Sequence, residues 1–180
     1  LFLAACNEWY ELYYEHRFHT HLPVAVDATC SGLQILAGLA KDASTARMVN
    51  VLGSEKPQDA YATIASRSME AIPERLRPYW DRKATKRCVM TIPYNAKPFS
   101  NRSYIREAFK DKDVNVDKEE LTSCVSAVRA AMNEVVPGAM RVMKWIETEV
   151  ARAIKGGAQE IEWTTPSGFI VRQRLMKTSR

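Results

Sequence analysis

No apolar run in the 180-residue sequence approaches the ~18–20 residues that a membrane-spanning helix requires. Glycine and proline are scarce, at seven and eight residues, which excludes collagen-like repeats and flexible linker tracts. Cys6, Cys30, Cys88 and Cys124 stand far apart with no CxxC pair. A structural zinc site needs clustered ligands and a disulfide scaffold needs a denser set, so free thiols are expected. Internal repeats and low-complexity tracts are absent. There is no basic n-region followed by a small-residue cleavage site, and the sequence opens at Leu1 inside a helical pattern. It is therefore expected to be an internal fragment of a longer protein. Acidic residues fall short of basic ones, 21 against 26, leaving a net charge of +5. That excess fits a polyanionic partner but is weak support on its own. Hydrophobic residues make up 46%, an ordinary globular content that argues against disorder.

Periodicity predicts a mostly helical chain with a few strands. A helix is expected over 1–15, and a short buried strand over Leu22–Asp27, its start marked by Pro23. Ser31 and Gln34 carry the spacing of a capping box, opening a helix with Leu33, Leu36, Ala37 and Ala40 on one face. Further helices are expected over 57–71, 79–92, 98–110, 117–135 and 138–155, with Gly156-Gly157 ending the last. Two alternating runs around Pro166-Ser167-Gly168 predict a hairpin. His16, His19 and His21 are expected in a polar loop after the first helix, since no cysteine or carboxylate cluster accompanies them.

Two segments carry chemistry. Asp27 closes the expected strand and precedes a tight turn into a helix. A carboxylate there either caps backbone N–H groups or holds a hard cation such as Mg²⁺ together with a neighbouring carbonyl. From the residues alone both readings stay open. The second segment is Arg82-Lys83-Ala-Thr-Lys86-Arg87, followed by Pro93 and Tyr94. Arg82 with Lys86, and Lys83 with Arg87, are i,i+4 pairs of like charge, which repel on a solvated helix. A triphosphate would relieve that repulsion, whereas a solvated basic face partly neutralised by Glu74 and Asp81 would tolerate it.

Together these segments resemble single-subunit, phage-type DNA-directed RNA polymerases. Asp27-Ala-Thr-Cys-Ser-Gly-Leu-Gln34 resembles their first catalytic motif, and Arg82-x3-Lys86-Arg87-x6-Tyr94 their nucleotide-binding motif. Val49-Asn-Val-Leu52, Pro57-Gln-Asp-Ala-Tyr61 and Trp163-Thr-Thr-Pro-Ser-Gly-Phe169 also look like that family, in the same order, from about Leu1 to Gln173. The resemblance implies an α+β, mostly helical fold that forms part of the palm and fingers of a right-handed polymerase. It implies a palm strand and first metal motif at about 20–45, fingers helices at about 56–135, and a helix and hairpin returning to the palm at about 138–175. Asp27 would be the first of two aspartates holding two Mg²⁺ ions, with the Ala28 carbonyl as a further ligand. Lys86 would act on the triphosphate in catalysis, Arg82 would face the same group, and Tyr94 would guard the ribose 2′-hydroxyl. Phe99 would pack on template bases.

The implied partners are a DNA template and promoter, nascent RNA and ribonucleoside triphosphates, with no membrane and a monomeric complete enzyme. Ala28 stands where the family usually has Gly, Ile35 where many members have His, and Pro93 and Asn95 flank Tyr94. The family's second aspartate sits in a His-Asp-Ser segment that this sequence lacks, so the chain alone is expected to be inactive. Family A DNA polymerases share the Arg-x3-Lys-x7-Tyr spacing. They carry a Glu five residues after the catalytic Asp, where this chain has Gly32 with room for a ribose hydroxyl. A basic, non-catalytic nucleic-acid-binding module is the remaining alternative. A phage-encoded enzyme in the host cytoplasm is expected, with the mitochondrial matrix as the alternative.

Overall fold

The computed structural model describes residues 1–17, 19–20, 22–23 and 25–174. Eight α-helices, three short 3₁₀ turns and one hairpin make up the regular structure of these residues, the helices and strands being α1 (Phe2–Tyr14), α2 (Ser31–Ala40), α3 (Ala43–Met48), α4 (Ala60–Ser68), α5 (Arg82–Thr91), α6 (Pro98–Lys110), α7 (Lys118–Val135), α8 (Pro137–Lys155), β1 (Glu160–Thr164) and β2 (Ile170–Arg174). The mostly helical chain with a few strands expected from periodicity is the one found, and it agrees with the α+β fold that the resemblance implies. No helix among the described residues is long and apolar enough to cross a membrane.

One core joins α2 to α7. Leu33, Ile64, Leu76, Val89, Phe109 and Met132 are fully buried within it. Trp80 lies against Phe109 with ring centroids 6.0 Å apart and donates its indole N–H to Ser68 Oγ at 3.0 Å. That partner lets a polar ring edge be buried without an unmet donor. Asp81, Asp59 and Asp117 open α5, α4 and α7 by accepting backbone N–H groups of the first turn. At Asp117 the reciprocal bond from Glu120 completes a capping box. The hairpin pairs Glu160 with Arg174 and Trp163 with Val171. Gly168 takes a positive φ of 84° at its turn, a conformation a side chain would strain.

Several expectations are corrected. The run Leu22–Asp27 is not a strand at any of its described positions, Val24 lying outside them. A strand exists only through a ladder with a neighbour, and the one sheet among the described residues is the β1–β2 hairpin. Val26 is accordingly 92% exposed. The Ser31–Gln34 capping box does not form, and α2 opens at Cys30 without a side-chain cap. Ser31 and Gln34 are drawn to other partners: Ser31 Oγ to the Tyr94 hydroxyl, and the Gln34 amide to the Val49 carbonyl. The helix expected over 79–92 is split. A 3₁₀ turn covers Glu74–Tyr79, and α5 begins only at Arg82, because the Asp81 carboxylate fixes the start. The six-residue helix α3 is too short to show a period in the sequence. All four cysteines are free thiols, as expected. His16 and His19 follow α1 outside any helix or strand, and His21 lies outside the described residues.

Candidate nucleotide site

The site is built around α5. Ala84, Thr85, Cys88 and Val89 turn into the core, and this fixes the helix's rotation. Arg82, Lys86 and Met90, at i, i+4 and i+8, then share one edge and line a cleft of ≈ 520 Å³. Asp27, Ala28, Thr29 and Cys30 form the opposite wall, and Asn50, Gln58, Asp59 and Tyr61 complete it. The first-motif carboxylate and two cations of the second motif, far apart in sequence, therefore meet in one cleft.

A smaller recess of ≈ 130 Å³ adjoins it, lined by Asp27, Ser31, Gly32, Tyr61 and Tyr94 among others. Tyr94 is 67% exposed, and its hydroxyl lies 3.2 Å from Ser31 Oγ. Its ring closes over Gly32: a Cβ there would stand 2.8 Å from Pro93 Cβ and 3.1 Å from Tyr94 Cε2. The space beside Gly32 is thus taken by Pro93 and Tyr94 rather than left open.

Asp27 is exposed, and its Oδ1 accepts the Ala28 N–H at 2.8 Å. No group of three His, Cys, Asp or Glu side chains able to hold a metal occurs among the described residues. Asp27 and the adjacent carbonyls form at most half of a hard-cation site, a fit that leaves the remaining positions to waters, phosphates or another carboxylate.

The two cleft cations differ. Lys86 has no ion-pair partner among the described residues. Arg82 donates from Nε to Asp59 Oδ2 at 2.5 Å, and its guanidinium lies 5.2 Å from the centre of the Tyr61 ring. Burial pulls the Asp59 carboxyl upward, but the Ala62 N–H and Arg82 outweigh it and leave it below its ordinary value. Tyr61 donates to the Thr29 carbonyl at 2.8 Å. Burial, and then its bond with Cys30, push the Tyr61 phenol well above its usual range. The cleft's rim is set by Asn50, in the left-handed region at φ 61°. Its side chain accepts from Gln58 N at 2.7 Å and donates to Gln58 O at 2.8 Å.

The four basic residues of α5 divide between two faces. Lys83 pairs with Asp111 at 3.0 Å. Arg87 pairs with Glu107 and lies 4.5 Å from the centre of the Tyr104 ring. One residue's advance turns a helix by about 100°, so i+1 neighbours of Arg82 and Lys86 face α6 instead. Phe99 is 80% exposed on the first turn of α6 and lines neither cleft nor recess. Asp59 and Tyr61 were not foreseen as site residues. The signal for Asp59 was present, since an Asp before an apolar helix start marks an N-cap.

The family model described as DNA-dependent RNA polymerase matches residues 1–180. The chain is 33% identical, over 89% of its length, to "DNA-directed RNA polymerase 2, chloroplastic/mitochondrial" of Arabidopsis thaliana, of which it covers 18%. It is 32% identical, over 99% of its length, to "DNA-directed RNA polymerase 3, chloroplastic" of Nicotiana sylvestris, of which it covers 20%. It thus spans about a fifth of the length of these two relatives.

Proposed function

The chain belongs to the DNA-dependent RNA polymerase family, and on that premise we propose that it forms the nucleotide-binding part of an enzyme that copies a DNA template into RNA. One observation carries the reading: Asp27, Arg82 and Lys86 line a single cleft. Two cations on one wall suit a polyphosphate anion, and the carboxylate would face that anion through a divalent cation held between them.

In this reading Lys86, with no carboxylate partner among the described residues, meets the triphosphate and stabilises charge that develops on it as pyrophosphate leaves. Arg82 reaches the same phosphates by exchanging its bond to Asp59, a step the exposed geometry of that pair makes inexpensive. Tyr94 presents its hydroxyl at the ribose end, where Gly32 adds no side chain. Asp27 and the Ala28 carbonyl are the groups that would hold Mg²⁺, which when bound activates the attacking 3′-hydroxyl and neutralises the leaving phosphate. A second carboxylate would come from sequence outside this chain, and the chain alone is proposed to be inactive for that reason. Phe99, exposed on the first turn of α6, is suited to stack on a template base.

The implied substrates are ribonucleoside triphosphates, with DNA template, promoter and nascent RNA as partners of a complete, monomeric enzyme. Residues 20–45 and 138–175 are assigned to the palm, and 56–135 to the fingers. The organellar names of the relatives support a mitochondrial or plastid setting over a phage-encoded enzyme in host cytoplasm. The test is single-turnover ribonucleotide addition by the full-length protein on a primed template. Asp27→Asn is expected to abolish addition while DNA binding survives; wild-type rates in that variant refute the assignment.

A further inference from the structure

The turn that follows Tyr94 is held from a distance. Asn95 adopts the left-handed conformation at φ 65°, and its N–H donates to the Ile92 carbonyl at 2.8 Å. Ala96 N–H donates to the Thr91 carbonyl at 3.2 Å. These local bonds close the turn but do not anchor it to the body of the fold. Arg129, on α7, does. Its guanidinium donates to the Ala96 carbonyl from both terminal nitrogens, at 3.2 and 3.4 Å, and to Asn101 Oδ1 at 2.8 Å.

The arrangement is costly in isolation, which points to a purpose. Arg129 is half-buried and has no ion-pair partner among the described residues, so its charge is met by neutral oxygens. Asn101 is 1% exposed and its Nδ2 has no partner among the described residues. The amide cannot be turned to satisfy that nitrogen, because the NH₂ group would then face the guanidinium donor to donor. Asn101 is held on its own side by α5, through the bond of Cys88 Sγ to the Asn101 carbonyl at 3.6 Å. A second tether, Lys97 to Asn95 Oδ1 and to Glu147, is exposed and contributes little.

We infer that Arg129 is a positioning residue for nucleotide selection: it clamps the 95–97 turn and so fixes where Tyr94 stands over Gly32. This rests on the reading of Tyr94 given above. The side chain touches no part of the cleft, so it acts only through the turn. Displacements on the scale of an ångström are enough to change selection, since recognition of one hydroxyl is sharply distance-dependent.

The experiment compares ribo- and deoxyribonucleotide addition by the full-length enzyme in three variants, with thermal midpoint and DNA affinity measured alongside. Arg129→Met is expected to lower the ribo-to-deoxy ratio of kcat/KM at least about threefold. Arg129→Lys, which keeps one donor for the Ala96 carbonyl, is expected to stay within about twofold of wild type and guards against a folding defect in the Met variant. Tyr94→Phe is the reference for the site itself. Relaxed selection in Tyr94→Phe with an unchanged ratio in Arg129→Met overturns the clamp alone. So does an equal loss for both nucleotides with a lowered midpoint, which marks a merely structural role. Unchanged selection in both overturns the role of Tyr94, and that of the clamp with it.

Discussion

The hydroxyls of Ser31 and Tyr94 lie 3.2 Å apart, although 63 residues separate them. The contact ties the end of the cationic helix region to the first turn after Asp27, so one bond spans both halves of the proposed site. Removing it from either side separates two effects. Tyr94→Phe deletes the hydroxyl proposed to meet the ribose and is expected to relax discrimination against deoxyribonucleotides. Ser31→Ala frees that hydroxyl but keeps it, and is expected to change discrimination far less. Competition between the two nucleotide types in run-off synthesis by the full-length enzyme checks the difference, and equal effects would count against the role of Tyr94.

Gly32→Ala tests the close approach beneath the same ring. The added Cβ would meet Pro93 Cβ at 2.8 Å, so the Pro93–Tyr94 segment must shift. A destabilisation of about 1–3 kcal/mol is expected from such overpacking, with nucleotide KM raised. Urea denaturation and steady-state kinetics read the two effects separately.

The rotation of α5 predicts an asymmetry among its cations. Arg82→Ala is expected to raise nucleotide KM about tenfold or more, the scale of a lost charge-assisted phosphate contact. Lys83→Ala removes only an exposed pair with Asp111 and is expected to leave KM within about twofold. Equal effects would contradict the division of these cations between two faces.

Asp42 links α3 to α8. It accepts from the Thr45 and Ser44 hydroxyls at 2.6 and 2.8 Å and from the Gly138 N–H at 3.0 Å. Those bonds, the Thr45 hydroxyl foremost, hold its carboxyl at about 2 against an ordinary 3.8. Because the folded value is the lower one, the stabilisation is complete above the ordinary value and lost as pH falls through about 2. The stability advantage of the wild type over Asp42→Asn is therefore expected to shrink between pH 4 and pH 2, as read by denaturant titration at each pH. Gly138 admits no side chain here, since a Cβ would stand 2.4 Å from Asp42 Cβ.

Burial pushes the Cys88 and Cys124 thiols up to about 12. Both are expected to stay unlabelled by iodoacetamide at neutral pH in the native protein and to react after denaturation, as peptide mass spectrometry would show.

The sequence made the helices legible where an apolar stripe was long, as in α6, α7 and α8, and the hairpin where Pro166-Ser167-Gly168 marked its turn. It misled where a local pattern had a stronger tertiary partner. Ser31 and Gln34 have capping-box spacing, yet Tyr94 and Val49 take their side chains. Leu22–Asp27 has strand composition, but a strand is a property of two segments and composition describes one. The candidate site was legible as motifs: Asp27 ahead of a turn, Arg82 and Lys86 four residues apart on one helix, and Tyr94 just past its end. Its supporting contacts were not. Asp59 on Arg82 and Arg129 on Ala96 are set by how helices far apart in sequence pack, which no spacing encodes.

Lys86 faces the cleft without a carboxylate partner among the described residues, and the proposed chemistry depends on it most directly. The decisive measurement is single-nucleotide addition at saturating DNA by full-length Lys86→Ala, with DNA affinity measured in parallel. A loss of about a hundredfold or more in the addition rate, with DNA affinity unchanged, is the predicted result. Uniformly weaker DNA binding with a near-normal addition rate would contradict it and leave a basic nucleic-acid-binding surface in its place.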